Sequence, residues 1–268
     1  MTIIAPKIFS NDPEYLQNEV LSLVTKSHGL EVALYGYSLF KNNVADEISK
    51  IDRKIIHLWQ KRVHLTGLLE YNRQVWSDLE FELSIAHSLG IYNAVIHPSP
   101  ASISLDSNTN PVLFANSIAP IIDNIYKRGL KLHIENTFQS LSFHRELYKQ
   151  LYTIGVADKC GFCLDTGHVR VYNGNTLDEW LDLIKELKEM GFSQHYHIHV
   201  NDGSDDQHRT LIDGHENGLL DPIPEWTPRG FIPWLKDAIC STPDAIFCME
   251  HPSQKAREAL GYANLINL

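Results

Sequence analysis

Residues 195–215, HYHIHVNDGSDDQHRTLIDGH, concentrate side chains able to hold a metal ion. His195, His197 and His199 alternate with Tyr196, Ile198 and Val200, the period of two that marks a strand with one polar and one apolar face. The strand runs out at Asn201-Asp202-Gly203, and the loop after it brings Asp206 and His208 back to the strand's tip. Imidazole nitrogens and carboxylate oxygens meeting there are the donors that zinc or manganese takes. His215, further along the same loop, competes with His208 for that place.

Strands and helices alternate along the whole chain. Strand patterns fall at 2–9, 30–37, 62–66, 91–97, 131–135, 160–165, 195–200 and 245–250. Helical patterns follow at 13–28, 44–59, 74–89, 111–128, 141–153, 177–190, 231–239 and 254–262. Caps and breakers support these limits: Asn11 or Asp12 before Pro13 opens the first helix, and Gly90, Gly129 and Gly191 close others. Eight such units without a linker or composition break predict a single α/β domain over residues 1–268, a closed parallel (β/α)8 barrel.

Strand parity then selects the residues that face the barrel's interior. Pairs such as Ala94 and Ile96, Leu132 and Ile134, and Phe162 and Leu164 suit the outer helices, as do Val63 and Leu65, Ile198 and Val200, and Ala245, Phe247 and Met249. The opposite parity turns His64, His97, Glu135, Asp165, His199 and Glu250 inward at the strand ends, where barrel enzymes build their sites. His168 in DTGH joins them with Asp206 and His208. Four carboxylates placed together repel one another unless cations neutralise them, so the set predicts a divalent metal centre. His133 and His197, one layer deeper, are suited to hydrogen-bonding the ligands from behind. His57, His87, His144 and His251 read as surface or core residues.

In chain order, VHLTG, AVIHPS, HIENT, CLDTGH, HVND, DQH and IFCMEH resemble the xylose isomerase-like TIM-barrel superfamily, also called AP endonuclease family 2. Resemblance to its sugar epimerases implies one divalent ion on Glu135, Asp165, His199 and Glu250, with Glu135 and Glu250 as the catalytic acid–base pair. Zn2+, Mn2+, Mg2+ and Co2+ are the ions it allows. Resemblance to endonuclease IV implies up to three ions: His64, His97 and Glu135 for one, Glu135, Asp165, His199 and Glu250 for a second, and His168, Asp206 and His208 for a third.

Two kinds of chemistry follow. An isomerase or epimerase would pass a proton between adjacent carbons of a small sugar or sugar phosphate, one glutamate taking it and the other returning it. A phosphoesterase would use clustered ions against abasic DNA or a small phosphodiester. A non-catalytic barrel that binds metal or sugar is the third reading. The net charge of −10 disfavours a nucleic-acid partner, as does the lack of any basic run longer than pairs such as Lys61-Arg62 and Lys127-Arg128. The opening strand IIAPKIF also lacks the histidine associated with endonuclease IV.

The long stretches 202–230 and 98–110 are expected to cover the site. Tyr35, Tyr37 and Trp226 are expected to wall a sugar, and Arg209 is a candidate for a phosphate, although a solvated arginine is the simpler reading. Cys160, Cys163, Cys240 and Cys248 read as core fillers rather than a redox pair. With no long apolar run and no cleavable leader pattern, no membrane partner is expected and the location is expected to be cytoplasmic.

Overall fold

The computed structural model describes residues 3–13, 16–35, 38–100, 103–106, 108–251, 255 and 261. Its strands are β1 (Ile3–Phe9), β2 (Gly29–Ala33), β3 (Arg53–His57), β4 (Asn93–Ile96), β5 (Lys131–Glu135), β6 (Cys160–Asp165), β7 (Ser193–Ile198) and β8 (Ile246–Met249). They pair in parallel in chain order and close as a barrel, β8 returning to β1 through Ile3↔Ile246 and Pro6↔Met249. The helices are α1 (Gln17–Val24), α2 (Asn42–Lys50), α3 (Leu65–Leu69), α4 (Arg73–Ser88), α5 (Pro111–Lys127), α6 (Leu141–Ile154), α7 (Thr166–His168), α8 (Leu177–Glu189), α9 (Leu211–Glu216) and α10 (Phe231–Ser241). The helix expected over 254–262 lies outside the described residues apart from Lys255 and Gly261.

Local chemistry sets the helix ends. Asn110 accepts from the amides of Val112 and Leu113 with Pro111 in the first turn of α5. Thr176 and Glu179 form a reciprocal capping box on α8, and Gly155 ends α6 in the left-handed region at φ 85°. Outward strand residues meet these helices in one apolar layer, where Phe162 stacks on Trp180 at 5.9 Å. The inward parity holds a separate small cluster of Ile55, Val95 and Cys163.

The third strand corrects the expectation. It is Arg53–His57, while α2 stops at Lys50 instead of running on to Trp59. RKIIH carries no alternation, since a parallel strand buried on both faces needs none, and it merged with the helical pattern before it. The segment expected as that strand forms only a parallel bridge, His64↔His97, before α3 begins. Cys160, Cys163 and Cys248 are buried as expected, but Cys240 is exposed on the solvent side of α10. Among the described residues, no helix is long and apolar enough to cross a membrane.

Candidate metal centre

The C-terminal ends of the strands surround a cavity of about 410 Å³. His57, His97, Glu135, His168, Asp206, His208 and Glu250 line it, and Asp165 and His199 lie fully buried beneath. The structure thus gathers His97, Glu135, Asp165, His168, His199, Asp206, His208 and Glu250 from β4, β5, β6, β7, β8 and the loops that follow them. His64 stands apart. It is the N-cap of α3, its Nδ1 accepting from the amide of Gly67 at 3.0 Å and lying 2.9 Å from Thr66 Oγ1.

His57, read from sequence as a surface or core residue, occupies the position expected of His64. It ends β3 at 2 % exposure with Nε2 3.2 Å from Glu135 Oε2, an oxygen that also lies 3.1 Å from His97 Nε2. The signal that could have found it is the doubled isoleucine before a histidine, once RKIIH is recognised as a buried parallel strand.

Two histidines show what these groups are prepared for. His57 Nδ1 lies 3.0 Å from the carbonyl of Leu58, and His168 Nδ1 lies 3.0 Å from the carbonyl of Asn136. A carbonyl only accepts, so each Nδ1 carries a hydrogen and each Nε2 turns to the cavity. Burial lowers the pKa of His57 and keeps its Nε2 bare. At His168 burial is outweighed by Asp165, Asp206 and Glu135, which raise it well above the ordinary imidazole value and put a proton on its Nε2 where a cation would otherwise stand. There Nε2 of His57 faces a Glu135 oxygen, and Nε2 of His168 faces Asp206 Oδ2 at 3.4 Å. Two lone pairs in confrontation need a proton or a cation between them. This backbone anchoring of the opposite nitrogen is how metal-binding histidines are oriented.

The local backbone serves the same end. Asp165 accepts from the amide of His168 at 2.7 Å, capping α7, while His199 Nε2 lies 3.0 Å from both Asp165 oxygens. His208 is held at φ 48°, a strained setting for a residue with a side chain. There its ring stacks on His199 at 4.4 Å and its Nε2 lies 3.0 Å from Asp206 Oδ2. His208 lines the cavity, whereas His215 is exposed on α9 and is not among the lining residues.

His197 sits among the acids, its Nδ1 2.9 Å from Glu250 Oε2, 3.6 Å from Glu135 Oε2 and 3.7 Å from Asp165 Oδ2. Burial works to lower the pKa of His197, but Cys163, Glu250, Glu31 and Glu135 around it raise it well above the ordinary imidazole value. Burial would lift Glu135 and Glu250, yet the cationic neighbours hold both well below the carboxylate range, His97 and His197 for Glu135, His197 and Lys7 for Glu250. For His208, burial is outweighed by Asp206, and the imidazole is raised to about 9. His133 is deeper than its expected role requires: it meets Ser193 Oγ at 2.9 Å near the opposite end of the barrel.

A divalent ion fits this donor set. Ligand atoms of His57, His97 and Glu135 lie within 4.8 Å of one another, as do those of His199, His208 and Glu250 and those of Glu135, Asp165 and His197. His199 Nδ1, Asp206 Oδ1 and Glu250 Oε2 are buried without a hydrogen bond among the described residues.

The cavity's remaining walls are aromatic and uncharged or acidic. Phe9 stacks on Tyr35 at 5.3 Å, and Phe138 packs on Tyr172 at 4.6 Å. Asn11, Gln60 and Gln207 add amides and Asp12 a carboxylate, while no lysine or arginine lines it among the described residues. Trp226, expected at the wall, is instead fully buried beneath its loop, donating from Nε1 to the carbonyl of Thr166 at 3.1 Å. Arg209 is paired with Asp202 at 2.7 Å. The loop over 202–230 does contribute Asp206, Gln207 and His208; none of the described residues of 98–110 lines the cavity, and Tyr37 lies outside the described residues.

Fold and site together place the chain in a class of proteins. The xylose isomerase-like TIM-barrel family model matches residues 8–262, and the chain belongs to that family. No curated protein sequence matches it. Among solved structures, it is similar to a D-tagatose 3-epimerase-like protein at 16% identity and a TM-score of 0.64, over 100% of this chain and 98% of that one. It is similar to the TTHB071 protein from Thermus thermophilus, soaked with ZnCl2, at 19% identity and a TM-score of 0.55, over 90% and 98%. The IOLI protein, with a bound zinc atom, matches at 10% identity and a TM-score of 0.61, over 99% and 97%. At these identities the likeness is one of fold.

Proposed function

We propose that the protein is a divalent-metal-dependent isomerase or epimerase that moves a proton between adjacent carbons, or between the two faces of one carbon, of a small sugar. The observation that carries this reading is the cavity itself: Glu135 and Glu250, from β5 and the end of β8, face one space between aromatic walls that hold no described lysine or arginine. Aromatic rings suit the apolar face of a sugar, and the amides of Asn11, Gln60 and Gln207 suit its hydroxyls. A phosphate would meet Asp12, Asp206 and the glutamates with no lysine or arginine among the described lining residues, and the imidazoles of His168 and His208 are already paired with Asp206, so an unphosphorylated sugar is the better match.

Glu135, Asp165, His199 and Glu250 would hold the ion, which when bound supplies Lewis acidity that acidifies a C–H next to a carbonyl. In epimerisation one glutamate would take that proton and the other return one to the opposite face of the same carbon, so the pair would sit on either side of the substrate; in isomerisation the proton would go back to the neighbouring carbon. Phe9, Tyr35, Phe138 and Tyr172 would lie along the sugar during that transfer.

A second reading, a phosphoesterase with several ions, is favoured by the additional groups His57, His97 and Glu135 and His168, Asp206 and His208. One experiment separates the two. The protein is purified, its metal content measured by mass spectrometry, and it is then incubated in D2O with ketoses and, separately, with an abasic-site oligonucleotide and a chromogenic phosphodiester. Deuterium entering a sugar carbon, with both esters intact, supports the isomerase reading; ester cleavage without exchange into any sugar overturns it.

A further inference from the structure

One layer below the cavity the barrel holds a pair of charges that the proposed reaction does not use. Lys7 of β1 and Glu31 of β2 are 1% and 0% exposed, and their charges lie 2.9 Å apart. Taking two charges out of water costs several kcal/mol apiece unless further partners satisfy them. Those partners lead to the site. Lys7 Nζ donates to Glu250 Oε1. Glu31 Oε2 lies 2.6 Å from His195 Nε2 and 2.9 Å from His197 Nε2. His197 Nδ1 in turn comes within 2.9 Å of Glu250 Oε2. Lys7, Glu250, His197 and Glu31 therefore close a ring in which each group touches two others.

We propose that Lys7 and Glu31 are positioning residues for Glu250. The inference rests on Glu250 being both an ion ligand and a catalytic base. Lys7 claims Oε1, so Glu250 can offer an ion or a substrate proton only Oε2. Glu31 fixes the plane of His197, and His197 stands against that same Oε2. The Lys7 hydrogen bond on Oε1 and the His197 ring against Oε2 thus limit how the carboxylate can turn about its last bond. His195 supports Glu31 from the next layer down. A stability role alone gives no reason for the ring to end on a cavity-lining carboxylate, since a buried ion pair is often matched or bettered by apolar residues of similar volume.

The test is the double variant K7M/E31Q, which removes one positive and one negative charge and leaves the barrel's net charge and volume nearly unchanged. Its thermal melt without metal establishes that it folds. Zinc affinity is then read by competition with a chromophoric chelator, and the sugar proton-exchange reaction by kcat and KM. The expected result is a fall in zinc affinity of about 10- to 100-fold, the usual effect of losing a partner that orients a ligand. A lower kcat with KM unchanged is expected beside it. Wild-type zinc affinity and kcat in the folded double variant overturn the proposal. If the double variant does not fold, E31Q alone decides: it keeps the Lys7 contact to Glu250 and removes the anionic oxygen shared by two imidazoles. Weaker zinc binding supports the inference, and unchanged binding overturns it. E250Q separates this from the reading it rests on, because retained turnover in E250Q defeats the catalytic assignment, while the zinc titration still reports on positioning.

Discussion

His57 and His64 lie on one short segment and are used in opposite ways. His57 ends a strand, anchors Nδ1 on a backbone carbonyl and turns Nε2 to Glu135; His64 spends its Nδ1 on the first turn of α3. His57→Ala is expected to lower the number of zinc ions retained per chain, and His64→Ala to leave that number unchanged while costing about 1 kcal/mol of stability, the usual worth of a helix cap. Metal analysis and urea unfolding of both variants check this; zinc loss in His64→Ala would return His64 to the site. At Glu250 the expectation is chemical. Glu250→Gln preserves an oxygen for Lys7 but removes the base, so turnover should fall about 10²- to 10⁴-fold with the fold intact. Unchanged turnover with a normal circular dichroism spectrum would remove Glu250 from catalysis.

Elements hold these residues through close approaches that leave no spare space. α7 follows β6 immediately, and a Cβ added at Gly167 would come within 2.0 Å of His199 Cε1. Gly167→Ala should therefore displace the His199 ring, weaken zinc binding at least about tenfold, and cost about 1–3 kcal/mol for overpacking. Chelator competition and a thermal melt test both parts, and wild-type affinity would show that His199 is not a ligand. The same scale shows what sequence can reveal. His97, Glu135, Asp165, His199 and Glu250 were legible because their strands alternate or end where the apolar run stops, so parity alone turned them inward. β3 was not legible, because its two isoleucines carry no period and it follows α2 after two residues, Ile51 and Asp52. Lys7 and Glu31 gave no local signal either: a charged residue inside a strand reads as exposed, and the pairing that buries Lys7 comes from Glu250 at the other end of the chain.

For the whole molecule, the layer between barrel and helices carries an acid-sensitive element remote from the cavity. His144 on α6 is fully buried among Phe143, Tyr148, Phe162 and Trp180, with neither ring nitrogen hydrogen-bonded among the described residues. Burial pushes its imidazole down to about 3, against the ordinary 6.5. The native state thus binds fewer protons than the unfolded chain between these values. Stability from this residue is complete above pH 6.5 and is lost as pH falls toward 3, at about 1.4 kcal/mol per pH unit. The carboxylates Glu31, Glu135 and Glu250, held low by their cationic neighbours, add a separate loss that begins only as pH falls through the ordinary carboxylate range. A variant without the imidazole isolates the first effect. His144→Phe keeps a ring among aromatic neighbours and should unfold at a lower pH than the wild type. Urea unfolding at about pH 7.5 and about pH 4 should show the variant gaining about 3 kcal/mol on the wild type between the two conditions. An equal difference at both pH values would mean that His144 titrates alike in the folded and unfolded chains.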